Sequence, residues 1–174
     1  MNLQAALADL ANARFVMDAI RNELPTEIGA PEIENIMRSN KQLEREILEK
    51  LTAGMIDQLE ETGHAYPDVQ KIVHDYLGII DHVASGDSTG KWLDHLGTIV
   101  GDIQTARSDY KKLREALAPA MCNTKVRVMF AAKRVHINAL LKSLKGAYIL
   151  ALEAGGGARA KELYESVPLT PIAE

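Results

Sequence analysis

Apolar side chains recur at alternating spacings of three and four along most of the chain, which places them on one side of a 3.6-residue helix. From the N-terminus Leu3, Ala6, Leu10, Ala13, Met17, Ile20 and Leu24 keep this rhythm unbroken as far as Pro25, where a helix cannot continue. Pro31 at a first helical position, followed by Glu32 and Glu34, predicts a second helix over 31–62, with Gly63 as its stop. Pro67 opens a third, whose inward face reads Val69, Ile72, Val73, Tyr76, Ile79, Ile80 and Val83 up to Gly86. After Asp87 or Ser88 as the N-cap, a fourth helix turns Trp92, Leu96, Ile99, Val100, Ile103, Ala106, Tyr110, Leu113 and Leu117 inward and stops at Pro119. A fifth runs over 120–154 to the run Gly155, Gly156, Gly157, and a short sixth over 158–165.

No strand is predicted anywhere, and the connections are short, so consecutive helices should run antiparallel as neighbours. The pattern therefore predicts an all-α fold: an elongated up-and-down bundle of five main helices plus a short C-terminal helix. Residues 1–166 are expected to form one helical domain. Residues 167–174, with Pro168 and Pro171, are expected to be an extended or mobile tail whose removal costs little stability.

Composition narrows the class. With 174 residues and 47% apolar content, the chain can bury roughly 70% of its unfolded surface without a metal or disulfide. Its single cysteine, Cys122, excludes an intramolecular bridge and suits a reducing compartment. The first fifteen residues carry Asp9 and Arg14 and lack the apolar core of a secretory signal. No segment offers the ~20 apolar residues of a membrane span. The expected location is cytoplasmic, with no membrane partner.

Charge is distributed unevenly. Residues 1–103 hold 18 acids and 8 bases, residues 104–145 hold 2 acids and 10 bases, and the remainder holds 4 acids and 2 bases. A basic segment between acidic ones bears on association, not on fold.

Candidate chemistry is sparse. No nucleophile elbow is present, and Cys122, near a predicted helix start, reads as an ordinary small apolar side chain. The run from Gly86 to Lys91 falls one residue short of a phosphate loop and follows a helix. Asp75 and His82, like His95 and Asp102, are seven apart, about 10 Å along a helix, so one ion cannot take both members of a pair. Glu61 and His64 have the spacing of a di-iron motif, but Gly63 lies between them. No metal ligand set, catalytic residue, cofactor or small-molecule substrate is identified.

Two surface patterns remain. On the fifth helix Arg127, Arg134, Asn138, Lys142 and Lys145 share one polar stripe. The apolar flanks on either side of it, one of them Val128, Ala132, Val135, Ala139 and Leu150, make this helix the most buried of the set by expectation. On the fourth helix Gly90, Gly97, Gly101, Thr105 and Ser108 fall within about 80° of one another, a row of small residues that a neighbouring helix could approach closely or that simply faces solvent. Together these features lead to a non-enzymatic helical-bundle protein, an assembly factor, adaptor or regulator working through protein-protein contacts or self-association. The alternatives are a nucleic-acid-binding component using the basic stripe on phosphates, and a metal- or cofactor-binding bundle enzyme.

Overall fold

The computed structural model describes residues 2–23, 30–79 and 88–173. Among them every regular element is helical: α1 (Leu3–Glu23), α2 (Ala30–Thr62), α3 (Pro67–Leu77), α4 (Ser88–Ala116), a 3-10 turn (Ala118–Ala120), α5 (Thr124–Glu153) and α6 (Gly157–Glu165). The all-α class follows from the periodicity. The chain divides into two compact units, residues 1–76 and 77–174.

In the first unit α1 and α2 form an antiparallel pair. Ala6, Leu10, Ala13 and Met17 are buried on α1, as the three-four rhythm requires, and Ile47, Leu48, Leu51, Met55, Ile56 and Leu59 are buried on α2. Toward the other end of the pair polar groups fix the register: Asn40 Nδ2 donates to the Ala13 carbonyl at 2.8 Å, and Arg14 pairs with Glu44 at 3.0 Å. Gly63 ends α2 at φ +74°, a left-handed conformation that side chains with a Cβ rarely adopt. The chain then turns back along α2. Gln58 Oε1 accepts from the Tyr66 amide at 3.0 Å, and Tyr76 Oη donates to Glu49 Oε1 at 2.6 Å, so α3 is antiparallel to α2 with Val69 and Val73 fully buried.

The third helix is shorter than its hydrophobic pattern predicts. It stops at Leu77 because Gly78 takes φ +70°, not at Gly86. The predicted continuation through Ile80 and Val83, and His82 with it, lies outside the described residues.

The second unit is built on the antiparallel pair α4 and α5. Leu96, Ile103, Ile137, Leu144 and Tyr148 are buried, and the rings of Tyr110 and Phe130 meet edge to face at 5.4 Å, a favoured aromatic geometry. Between the two helices the sequence places Pro119, and the backbone answers with the 3-10 turn instead of an immediate new helix. The start of α5 therefore falls four residues later than predicted, at Thr124, and the preceding Asn123 caps it, its side chain accepting from the Lys125 amide at 2.8 Å. Past the glycine run α6 packs against both α4 and α5, with Tyr164 stacked on Tyr148 at 4.0 Å and 8° between ring planes.

Residues 167–173 form neither helix nor strand, bend at Val167 and Thr170, and are held against the α4–α5 pair. Val167 is buried, Arg107 Nη2 donates to the carbonyls of Pro168 at 2.9 Å and Thr170 at 2.6 Å, and the Asn138 amide accepts from the Ile172 N–H at 3.0 Å and donates to the Ile172 carbonyl at 3.4 Å. A buried valine and four hydrogen bonds tie the segment down.

Candidate functional site

Two different environments divide α5. In its second half Leu144, Gly146, Ala147, Tyr148, Ile149, Ala151 and Leu152 are all buried, because α4, α6 and Ile79 surround it. Ile79 itself would lie 3.5 Å from a Cβ at Gly146. Over the first half only one side is covered. Phe130, Ile137 and Leu141 face α4 and are buried, whereas Val128 is 63% and Val135 69% exposed, and Ala132 and Ala139 on the same flank are exposed as well. The expectation that α5 is the most buried helix, with two covered apolar flanks, holds for its C-terminal half and fails for residues 128–139. Among the described residues of this unit none covers the second flank there.

Val128, Ala132, Val135 and Ala139 follow a four-three-four spacing. They therefore form one narrow apolar stripe along about 16 Å of helix. Met121, 36% exposed, extends it across the turn that leads into α5.

The predicted basic stripe runs beside this apolar one, and the structure divides it into parts. Arg127, exposed, and Arg134, half-buried, line an open depression of about 500 Å³ together with Met121 and Val128. Asn138 is occupied by the backbone of Ile172. Lys142 and Lys145 each interact with another group of the chain. What presents itself at the surface is thus a valine pair one heptad apart with an arginine pair one heptad apart along its edge. Sequence reasoning found the arginines and misplaced the valines, since an apolar position on a helix carries no mark that distinguishes a covered flank from an uncovered one.

The small-residue row on α4 is open. A Cβ added at Gly90, Gly97 or Gly101 would meet no atom within 4 Å, and Thr105 and Ser108 are exposed, so no part of the described chain uses the row for close helix contact. Thr105 borders a groove of about 350 Å³ on the same side, with Asp102 and Asp109 from α4 and Lys133 and His136 from α5. The two carboxylates are seven residues apart, about 10 Å along the helix, too far to hold one ion or share one proton.

Among the described residues no three His, Cys, Asp or Glu side chains come together as a metal site. Cys122 is exposed in the turn before the Asn123 cap. From Ser88 onward the glycine-lysine run is part of α4, not a loop around a phosphate. No described helix is long and apolar enough to cross a membrane.

The first unit carries a counterpart to the α5 face. On α2, Ile36 and Leu43 are each 48% exposed and lie one heptad apart, with the exposed Glu32 and Glu46 on the same side of the helix. Residues 1–76 hold 14 acidic and 7 basic side chains, and residues 77–174 hold 10 acidic and 13 basic, so the two faces lie on units of opposite net charge. Compared with protein families, with curated proteins and with solved structures, the chain finds no match in any of the three.

Proposed function

We propose that this is a helical interaction protein that self-assembles, docking the basic-edged apolar face of α5 on the acidic-edged apolar face of α2 from a second copy. The observation that carries the reading is the pairing of two uncovered aliphatic couples of equal spacing, Val128 with Val135 and Ile36 with Leu43, edged by Arg127 and Arg134 in one case and by Glu32 and Glu46 in the other. Equal heptad spacing lets two helices interleave their apolar side chains along a shared seam. Opposite edge charges fix register and disfavour the like-with-like contacts α5 on α5 and α2 on α2.

A charge-swap experiment tests this. A chain carrying Arg127→Glu and Arg134→Glu has two acidic faces, and one carrying Glu32→Arg and Glu46→Arg has two basic faces. Sedimentation velocity should show each variant monomeric where the native chain associates, and a mixture of the two should recover association that weakens as salt is raised. Monomeric behaviour of the native chain at millimolar concentration, or association of the single variants equal to native, overturns the reading.

A further inference from the structure

The docked C-terminal segment points to a second binding site, independent of the α5 face. The segment is read mainly through its main chain: Arg107 donates to the carbonyls of Pro168 and Thr170, and Asn138 pairs with both the N–H and the carbonyl of Ile172, as a neighbouring strand would. Val167 is buried, Leu169 and Ile172 are half-buried, and Pro168, Thr170, Pro171 and Ala173 are exposed. The cleft therefore takes a non-helical main chain, bent at Val167 and Thr170, with aliphatic side chains at three places, and leaves the other positions free.

One group in it is badly served. Arg107 Nε is buried and has no hydrogen-bond partner, and no carboxylate among the described residues pairs with this guanidinium. A buried donor without an acceptor is costly. The carbonyls of Pro168 and Thr170 use only Nη2. A carboxylate, by contrast, takes the Nε and Nη2 hydrogens together in a planar fork, the arrangement in which arginine binds most strongly.

From this we infer that the cleft between α4 and α5 is a peptide-binding site for a non-helical segment of a partner protein. That segment carries an aliphatic anchor at the Val167 position and an acidic side chain at the Thr170 position, and the chain's own residues 167–172 fill the site as a latch. A second copy's identical segment is a poor displacer. It would make the same contacts as the tethered one, which enjoys an effective concentration of about a millimolar. Only a ligand that satisfies Arg107 better gains over the latch, and a carboxylate does so.

The test uses a chain ending at Ser166 and two labelled heptapeptides, one with the sequence of residues 167–173 and one with Thr170→Asp. Fluorescence anisotropy should show both binding saturably, the acidic peptide at least tenfold tighter. Asn138→Ala should weaken both, and Arg107→Lys, which keeps the charge and loses the fork, should erase the difference between them. The intact chain should bind either peptide at least tenfold more weakly. No binding by a shortened chain that keeps its helical circular dichroism, or equal affinity for the two peptides, overturns the inference. If the shortened chain fails to fold, hydrogen exchange at the Ile172 amide of the intact chain decides. Faster exchange on adding the acidic peptide supports latch displacement, and an unchanged rate at several millimolar refutes it.

Discussion

Replacing a valine on the open face of α5 and an isoleucine on its covered face should move stability in opposite directions. Ile137 is 1% exposed, and truncating such a side chain to alanine removes its contacts and leaves a cavity, at a cost of about 2–5 kcal/mol. For a unit of this size that lowers Tm by roughly 10–25 °C. At Val135, 69% exposed, little apolar surface returns to water, while alanine relieves the rotamer restriction of a β-branched residue in a helix, so Val135→Ala should stabilise by about 0.5 kcal/mol. The two positions are neighbours but one in sequence, on opposite sides of the helix. Urea denaturation followed by circular dichroism at low micromolar concentration, where self-assembly does not contribute, measures both. Sedimentation velocity at high concentration then reads assembly, which Val135→Ala should weaken although it stabilises the monomer. A Val135→Ala variant that loses more than 1 kcal/mol in dilute solution refutes the reasoning, because the face would then be covered within the chain itself.

Ending the chain at Ser166 should lower stability by about 2–4 kcal/mol, from lost burial of Val167 and four lost hydrogen bonds, read by the same denaturation assay; an unchanged midpoint would mean that the segment does not stay docked. Burial, then the hydrogen bond to and the charge of Glu49, raise the Tyr76 phenol to about 12, against an opposing effect of Arg45. Since this pKa lies above its unfolded value of about 10, the stabilisation is fully present below pH 10 and is lost as pH rises toward 12. Absorbance at 295 nm should show a late tyrosinate that vanishes in Tyr76→Phe, and that variant should lose less stability between pH 10 and 12 than the native chain. Gly97→Ala and Gly101→Ala should each stabilise α4 by about 0.5–1 kcal/mol, since the new methyl meets nothing within 4 Å; a lower Tm in either would show that the row is covered after all.

Helix identity and the main inward faces are legible in this sequence because an amphipathic helix repeats its signal many times. Leu10, Ala13 and Met17 on α1, or Leu96, Ile103, Ile137 and Leu144 on α4 and α5, are inward in the pattern and buried in the structure. Single-residue backbone events are less legible. Gly78 carries no stronger stop signal than the helix-interior Gly97, yet one takes a left-handed conformation and the other does not. At the α4–α5 turn Pro119 announces a break, but only the geometry of the turn selects Asn123 as the residue that caps the next helix.

What the sequence by itself determined is therefore the all-α class, the approximate helices and one wall of the core, because 3.6-residue periodicity and proline and glycine chemistry act locally. What only the tertiary structure decided is coverage. Two apolar flanks of α5 look equivalent along the chain, and which one meets α4 depends on how neighbouring helices pack, a non-local outcome that leaves Val128 and Val135 bare and brings Asn138 under residues 167–173. The same holds for Arg107, one base among ten in the basic segment, whose place beside the C-terminal segment, with its Nε buried, is a consequence of packing and not of any motif.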